Sequence, residues 1–434
     1  MKHGMLAAIL VFLAAPPAAL AGEPDRPGND SATHHSKLLR EGRDAFRFAT
    51  FGDEAFWGDG LGLHLAIAGA DHGGVGPGVS PRTALEVGLK VDVEALPRSL
   101  QRAAARGQVD LDDPATTLEL LRLDAVVGVT GFFDGEGNIT SMGIQCALCH
   151  STVDDSFTKG IGRRLDGWAN RDLNVGAIVA LAPRLDPFSE VLGVDVDTVR
   201  AVLNSWGPGR FDALLILDGK AFRPDGTSAS VLIPPAFGLA GVNLHTSTGW
   251  GSVPYWNAFV ANLEMHGQGT FFDSRLADEE KFPVAARNGF DDVRAEEDLI
   301  TPLLPALQLY QLSLRAPPAP RRSYDRDAAR RGGELFNGKA DCGRCHVPPL
   351  YTEPGWNMHS AEEIGIDDFQ AMRSPDEAYR TAPLKGLWTH GKGGYYHDGR
   401  FPTLTAVIDH YDSHFSLGLS AGEKRDLEQF LKSL

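Results

Sequence analysis

The chain has 434 residues, 43% hydrophobic and 23% charged, which suits a large buried core and a length of two or three domains. Its net charge of −16 argues against nucleic acid and anionic membrane surfaces as partners and leaves basic proteins open. Four cysteines in so long a chain exclude a disulfide scaffold.

Lys2 and His3 precede an apolar run from Met5 to Ala15, and Ala19-Leu20-Ala21 offers a small-residue cleavage site. This pattern predicts a signal peptide over residues 1–21, cleaved after Ala21, and a periplasmic protein. The run is too short to span a bilayer comfortably, and no other segment offers a membrane span. Residues 22–36 are polar, lack apolar periodicity and read as a flexible leader. Residues 37–315 hold a long N-terminal lead-in and a first domain. The lead-in starts with Phe46, Phe48, Phe51, Phe56 and Trp57. Asp71 to Gly78 is Gly-rich but lacks the Lys-Ser/Thr of a phosphate loop, so it reads as a bare turn. Helix-like spacing covers Ala84 to Val91, Thr116 to Leu123 and Leu299 to Leu314.

Residues 316–324 form a Pro-rich linker, the best domain boundary in the chain. Residues 325–434 form a second domain. Ala328, Gly332, Leu335 and Phe336 share one helical face, and Gly332 would let another helix approach closely. At the end, Ser420 and Glu423 make a capping-box pattern before Leu427, Phe430, Leu431 and Leu434. Strand-like alternation is weak, so the expected fold is mainly α with long loops.

All four cysteines fall in two copies of one pattern: Cys146-Ala-Leu-Cys149-His150 and Cys342-Gly-Arg-Cys345-His346. Cys-x-x-Cys-His is the attachment signature of c-type haem. Each sulfur bonds one vinyl-derived carbon of the porphyrin, and the adjacent histidine coordinates iron beneath the ring. A zinc site would have to gather pairs 196 positions apart and gives no reason for the histidines. The expectation is two covalently bound haems, with His150 and His346 as proximal iron ligands. A short repeat follows each motif: Pro235, Gly238, Leu239, Gly251 and Pro254 match Pro383, Gly386, Leu387, Gly399 and Pro402 at a constant offset of 148.

The stretch Thr381 to Trp388, then Tyr395-Tyr-His-Asp-Gly-Arg400, then Thr403-Leu404 up to Tyr411, resembles the second haem domain of bacterial di-haem cytochrome c peroxidases and of the related di-haem enzyme of methylamine dehydrogenase maturation. The resemblance is good over 325–434, weaker over 140–280 and absent over 37–120. It implies two class I cytochrome c-like helical domains behind an N-terminal extension. One haem would react with peroxide while the other relays electrons. In that family the second haem's distal ligand lies eight residues after the Thr of the Thr-Leu pair, which here is Tyr411. The alternative is a packed helix tyrosine, with His410, His397, His390 and Met372 as rival ligands.

In the first domain the resemblance puts Trp250 between the haems. It makes Glu264, followed by Met265, an acid–base group of a peroxide pocket. Here Trp250-Gly-Ser departs from the family's Trp-Asp-Gly-Arg, and the gap to Glu264 is shorter. His266 and His245 stand as alternative distal ligands. The longer first half favours the first haem as the reactive centre. A small electron-transfer protein, a cytochrome c or a cupredoxin, is the expected donor, with peroxide or another small molecule as substrate. Calcium between the domains is common in the family, but no loop here is specific for it. Two other readings stay open: an electron carrier without catalysis, and oxidation of an apolar substrate, as in the similar di-haem rubber oxygenases.

Overall fold

A computed structural model describes residues 27–434, with side chains from residue 32. The signal-peptide segment 1–21 lies outside the described residues. Within the segment read as a leader, the described part is helical: Pro27–Phe48 is one helix. Contacts divide the chain after Lys37, and Leu38–Leu434 packs as one compact unit.

The protein is mainly helical, as its periodicity implied. Five two-stranded sheets also occur among the described residues, where the alternation had looked too weak for strands. The longest is the antiparallel hairpin Val129–Phe133 with Ile139–Ile144. Its turn is organised by Asp134, whose carboxylate accepts from the Glu136 and Asn138 backbone amides. This hairpin delivers the chain directly to Cys146. The helix expected over 84–91 runs instead from Pro81 to Glu86. Gly88 at φ +89° ends it, and Val91–Asp92 pairs with Ile161–Gly162 as a short parallel strand. The helix Pro114–Arg122, with Asp113 as N-cap, and the helix Leu304–Ser313 lie where their spacing placed them.

The lead-in has a structural role that its sequence did not announce. Trp57, Leu61, Leu63, Leu118 and Leu121 share one apolar core with Met142, Leu148, Leu173 and Leu203. The first haem motif is therefore built into a core that the lead-in half supplies. The C-terminal segment has its own core of Phe336, Leu387, Leu404, Ile408, Leu427 and Leu431.

That second core rests on the crossing of helices Arg326–Phe336 and Ala421–Ser433. The Ser420–Glu423 capping box is formed in both directions. Phe336 and Phe430 meet with ring centroids 5.0 Å apart. A Cβ on Gly332 would lie 2.0 Å from the Asp426 carbonyl oxygen, so the crossing requires glycine. Gly332→Ala should force the helices apart and cost about 1–3 kcal/mol, the usual range for overpacking. A urea midpoint equal to wild type would refute this.

The Pro-rich stretch is held against both halves. Trp388 donates its Nε1–H to the Pro317 carbonyl at 3.1 Å, and Gly238 donates its N–H to the Leu314 carbonyl at 2.8 Å. The two repeat copies touch: a Cβ on Gly386 would meet the Phe237 ring at 2.7 Å. Both copies contain a bend closed by a six-residue bridge, His245 to Gly251 and Tyr395 to Phe401. Each bend leads to a helix, N-capped at Ser252 and Thr403. The structural offset is thus 150 at the bridges and 151 at the caps, not the uniform 148 of the sequence match.

Candidate di-haem site

All four cysteines are free and half-buried. Cys146 N-caps a single helical turn, Ala147–His150, and Cys342–Arg344 forms a 3-10 turn. Burial pushes the Cys146 and Cys149 thiols up to about 12 and Cys342 to about 11. Among the described residues no three Cys, His, Asp or Glu side chains gather as a metal-ligand set.

The two histidines are oriented alike. His150 Nδ1 lies 3.0 Å from the Pro234 carbonyl, and His346 Nδ1 lies 3.3 Å from the Tyr351 carbonyl. A donated Nδ1–H fixes the tautomer and leaves Nε2 with its lone pair, as an iron ligand requires. Burial lowers both imidazoles, His346 to about 4, so both are neutral and able to ligate at neutral pH.

Two half-buried arginines strengthen the fit to haem. Arg171 in the first half and Arg380 in the second each keep an Nε without a hydrogen-bond partner. Arg171 Nη1 reaches only the Lys392 carbonyl at 3.4 Å, and Arg380 Nη2 reaches the Thr352 hydroxyl at 3.3 Å. Neither pairs with a carboxylate, and burial lowers both to about 10. Buried guanidinium groups need anionic partners, and haem propionates are anions of suitable size. The residues present fit two haems c: Cys146, Cys149 and His150 would hold one, and Cys342, Cys345 and His346 the other.

On the first side, Glu264 ends a π-helical turn, Val260–Glu264, of the kind that often marks functional sites. Its Oε1 is sealed from solvent and has no partner. Burial, and secondarily the charge of Asp212, raises its carboxyl well above the usual range. Glu264 is within electrostatic reach of Cys149, which places it beside the first motif. His266 follows at φ +60°, stacked on Phe56 at 3.6 Å and held neutral by burial, with a pKa of about 4. His245 bonds through Nε2 to the Val242 carbonyl at 3.2 Å and lies in the field of Arg380.

Trp250 lies in an apolar cluster with Phe259, Phe271 and Phe282, its Nε1 unpartnered. Its ring packs against Trp256 at 5.3 Å and carries Arg275 at 5.6 Å. Aromatic contacts also join the first segment to the C-terminal one, among them Phe237 with His390 at 6.3 Å. Trp168 meets Trp388 edge-on at 5.3 Å, and Phe237 lies 6.4 Å from Trp168. Sequence reading missed this pair, although Trp388 stands inside the quoted resemblance.

On the second side, Tyr411 sits on helix Leu404–His414 within electrostatic reach of Cys342 and Cys345. Burial raises its phenol, and Tyr396 lies 6.2 Å away, ring to ring. Its rivals fare unequally. Met372 is 43% exposed, and His410 Nε2 is spent on the Ile364 carbonyl at 2.9 Å. His397 and His390 keep an unpartnered Nε2. His397 stacks on Tyr379 at 5.2 Å, and His390 lies in the field of Arg171 in the first half.

No profile of a known protein family matches the chain. Over a limited stretch the chain is similar in sequence to a methylamine utilization protein. That protein is MauG of Methylorubrum extorquens, 32% identical over 122 residues, with 24% of this chain covered. The chain spans about a third of that relative's length, 34%. Two solved structures align with low scores. A MauG-like protein associated with microbial copper homeostasis gives a TM-score of 0.32 at 19% identity, covering 49% of this chain and 76% of its own. A hydrazine synthase of Kuenenia stuttgartiensis gives 0.29 at 20% identity, covering 49% and 75%.

Proposed function

We propose that the protein is an exported di-haem c-type oxidoreductase of peroxidase type, with the first haem as reactive centre and the second as electron relay. The observation that carries this reading is Glu264: a sealed, unpartnered carboxyl beside the first motif, raised by burial well above the usual carboxylate range. Haem c bound there would supply redox-active iron to a peroxide substrate. Glu264 would donate the proton it holds to the far, leaving peroxide oxygen as the O–O bond breaks, and take the near oxygen's proton in return, which restores the carboxyl. The apolar walls of the Trp250 cluster exclude water from that side. Trp168 and Trp388 provide an aromatic bridge between the halves for electrons arriving at the second haem. The net charge of −16 favours a basic cytochrome c or cupredoxin as donor and speeds its encounter. No described helix is long and apolar enough to cross a membrane.

Electron paramagnetic resonance of the oxidised holoprotein tests the reading. One high-spin and one low-spin ferric signal, with loss of the high-spin signal on adding peroxide, is the expected result. Two low-spin signals and no reaction with peroxide would leave a pure electron carrier. Tyr411 is proposed as the second haem's distal ligand. Tyr411→Phe should shift that haem's low-spin spectrum and raise its potential, and an unchanged spectrum rejects the assignment.

A further inference from the structure

The core shared by the lead-in and the first haem segment encloses a cavity of about 90 Å³. Trp57, Leu63, Ala84, Leu121, Leu148 and Val179 are among its walls. Neither cysteine of the first motif lines it, nor do His150 and Glu264, so it is separate from the haem-binding residues. Two of its wall residues nevertheless connect it to them. Leu148 lies inside the Cys146–His150 motif. Trp57 donates its Nε1–H to the Met265 carbonyl at 2.8 Å, one residue from Glu264.

The lining is almost wholly apolar. Lys90 touches it but turns its ammonium group to Asp172 at 2.6 Å. The other polar lining residue is Thr117, on helix Pro114–Arg122, whose buried Oγ1 has no partner. A space of this size lined by Leu, Ile and Val holds no water, because water there would lack its two to four polar partners. Dry cavities of this kind take up xenon or small hydrocarbons.

We infer that this cavity is a binding site for an apolar molecule of a few heavy atoms, one side chain away from the first haem's candidate distal pocket. Dioxygen and a light alkene share the required chemistry: small volume and no obligatory hydrogen bonds. The site also gives the lead-in a function. Leu63, Ile67 and Ala84 come from the lead-in, and Leu173, Val175 and Val179 from beyond the first haem motif. Neither part builds the chamber alone.

The test uses the holoprotein and reads binding by xenon-129 NMR, so it does not depend on turnover or on the peroxidase reading. Saturable binding of one xenon per chain is expected. Ala84→Leu projects three further carbons into the space and should weaken binding at least about tenfold. Ala66→Leu fills the same chamber from helix Leu63–Ala68 and serves if the first variant fails to load both haems. Thr117→Val keeps the volume, removes the orphaned hydroxyl and should bind xenon as well as wild type or better. Competition separates the two sources: displacement by dioxygen assigns a gas site, and displacement by isobutene an organic one. Absence of saturable binding, equal binding in both filling variants, or displacement by neither competitor overturns the inference.

Discussion

Glu264→Gln should slow peroxide consumption by about 10²–10³-fold, within the range of a lost general acid–base group. Glutamine keeps the shape and polarity of the side chain and removes only the transferable proton. The pH profile gives a second and sharper readout. Burial and the charge of Asp212 raise this carboxyl well above its ordinary range. The wild-type rate should therefore fall as pH climbs through that raised pKa, and the variant should lose this limb. Linkage points the same way. A group whose folded pKa exceeds its ordinary value of 4.5 favours folding most below that value, and loses the advantage as pH rises through the folded pKa. Glu264→Gln should then be no less stable than wild type at pH 7, so a slow variant cannot be attributed to unfolding. A variant with wild-type rate and an intact alkaline limb would remove Glu264 from the chemistry.

Local motifs were legible in the sequence and long-range surroundings were not, for a physical reason. The haem motifs are local: five consecutive residues carry two sulfurs and an imidazole, and spacing alone states the chemistry. The capping box at Ser420 and the close crossing at Gly332 are local too, and both are formed. Glu264 came forward only through resemblance, because a buried acid and an exposed one look alike in a sequence; its sealed, unpartnered Oε1 is visible only in the fold. The same holds for Arg171 and Arg380, whose significance lies in an Nε without a hydrogen-bond partner and no ion pair to a carboxylate. The hairpin before Cys146 was missed although Asp134-Gly135 between apolar runs is a turn signal. Gly131 and Ser141 within its strands blurred the alternation. The lead-in was opaque because its apolar residues pack on a segment far away in sequence.

The largest stability effect is expected at Arg373. It leaves the helix Phe369–Met372 in the C-terminal segment and enters the first half with its side chain 0% exposed. Its Nε and Nη2 form a fork on Asp218 at 2.8 and 3.0 Å, and Nη2 also reaches Asp212 at 3.1 Å. Nη1 donates to the Ala229 carbonyl at 3.4 Å. The cluster holds two carboxylates and one guanidinium. Burial already pulls Asp212 up to about 6 against the attraction of Arg373. Removing the cation leaves two acids facing each other without water.

Arg373→Ala should therefore cost about 3–5 kcal/mol, the usual penalty for breaking a buried pair from one side. The loss should grow as pH rises, because Asp212, already raised by burial, must then ionise without its partner. Neutralising the whole cluster is the control. Arg373→Met with Asp212→Asn and Asp218→Asn removes every charge at similar volume, and should recover most of the loss, since a buried ion pair is seldom more stable than an apolar replacement. Urea unfolding at pH 5 and pH 8 separates these cases. Arg373→Ala within 1 kcal/mol of wild type at both pH values would mean the fork adds nothing beyond the packing around it. A loss that the triple variant does not repair would mean that the geometry of the fork, not its charge balance, locks the two halves together.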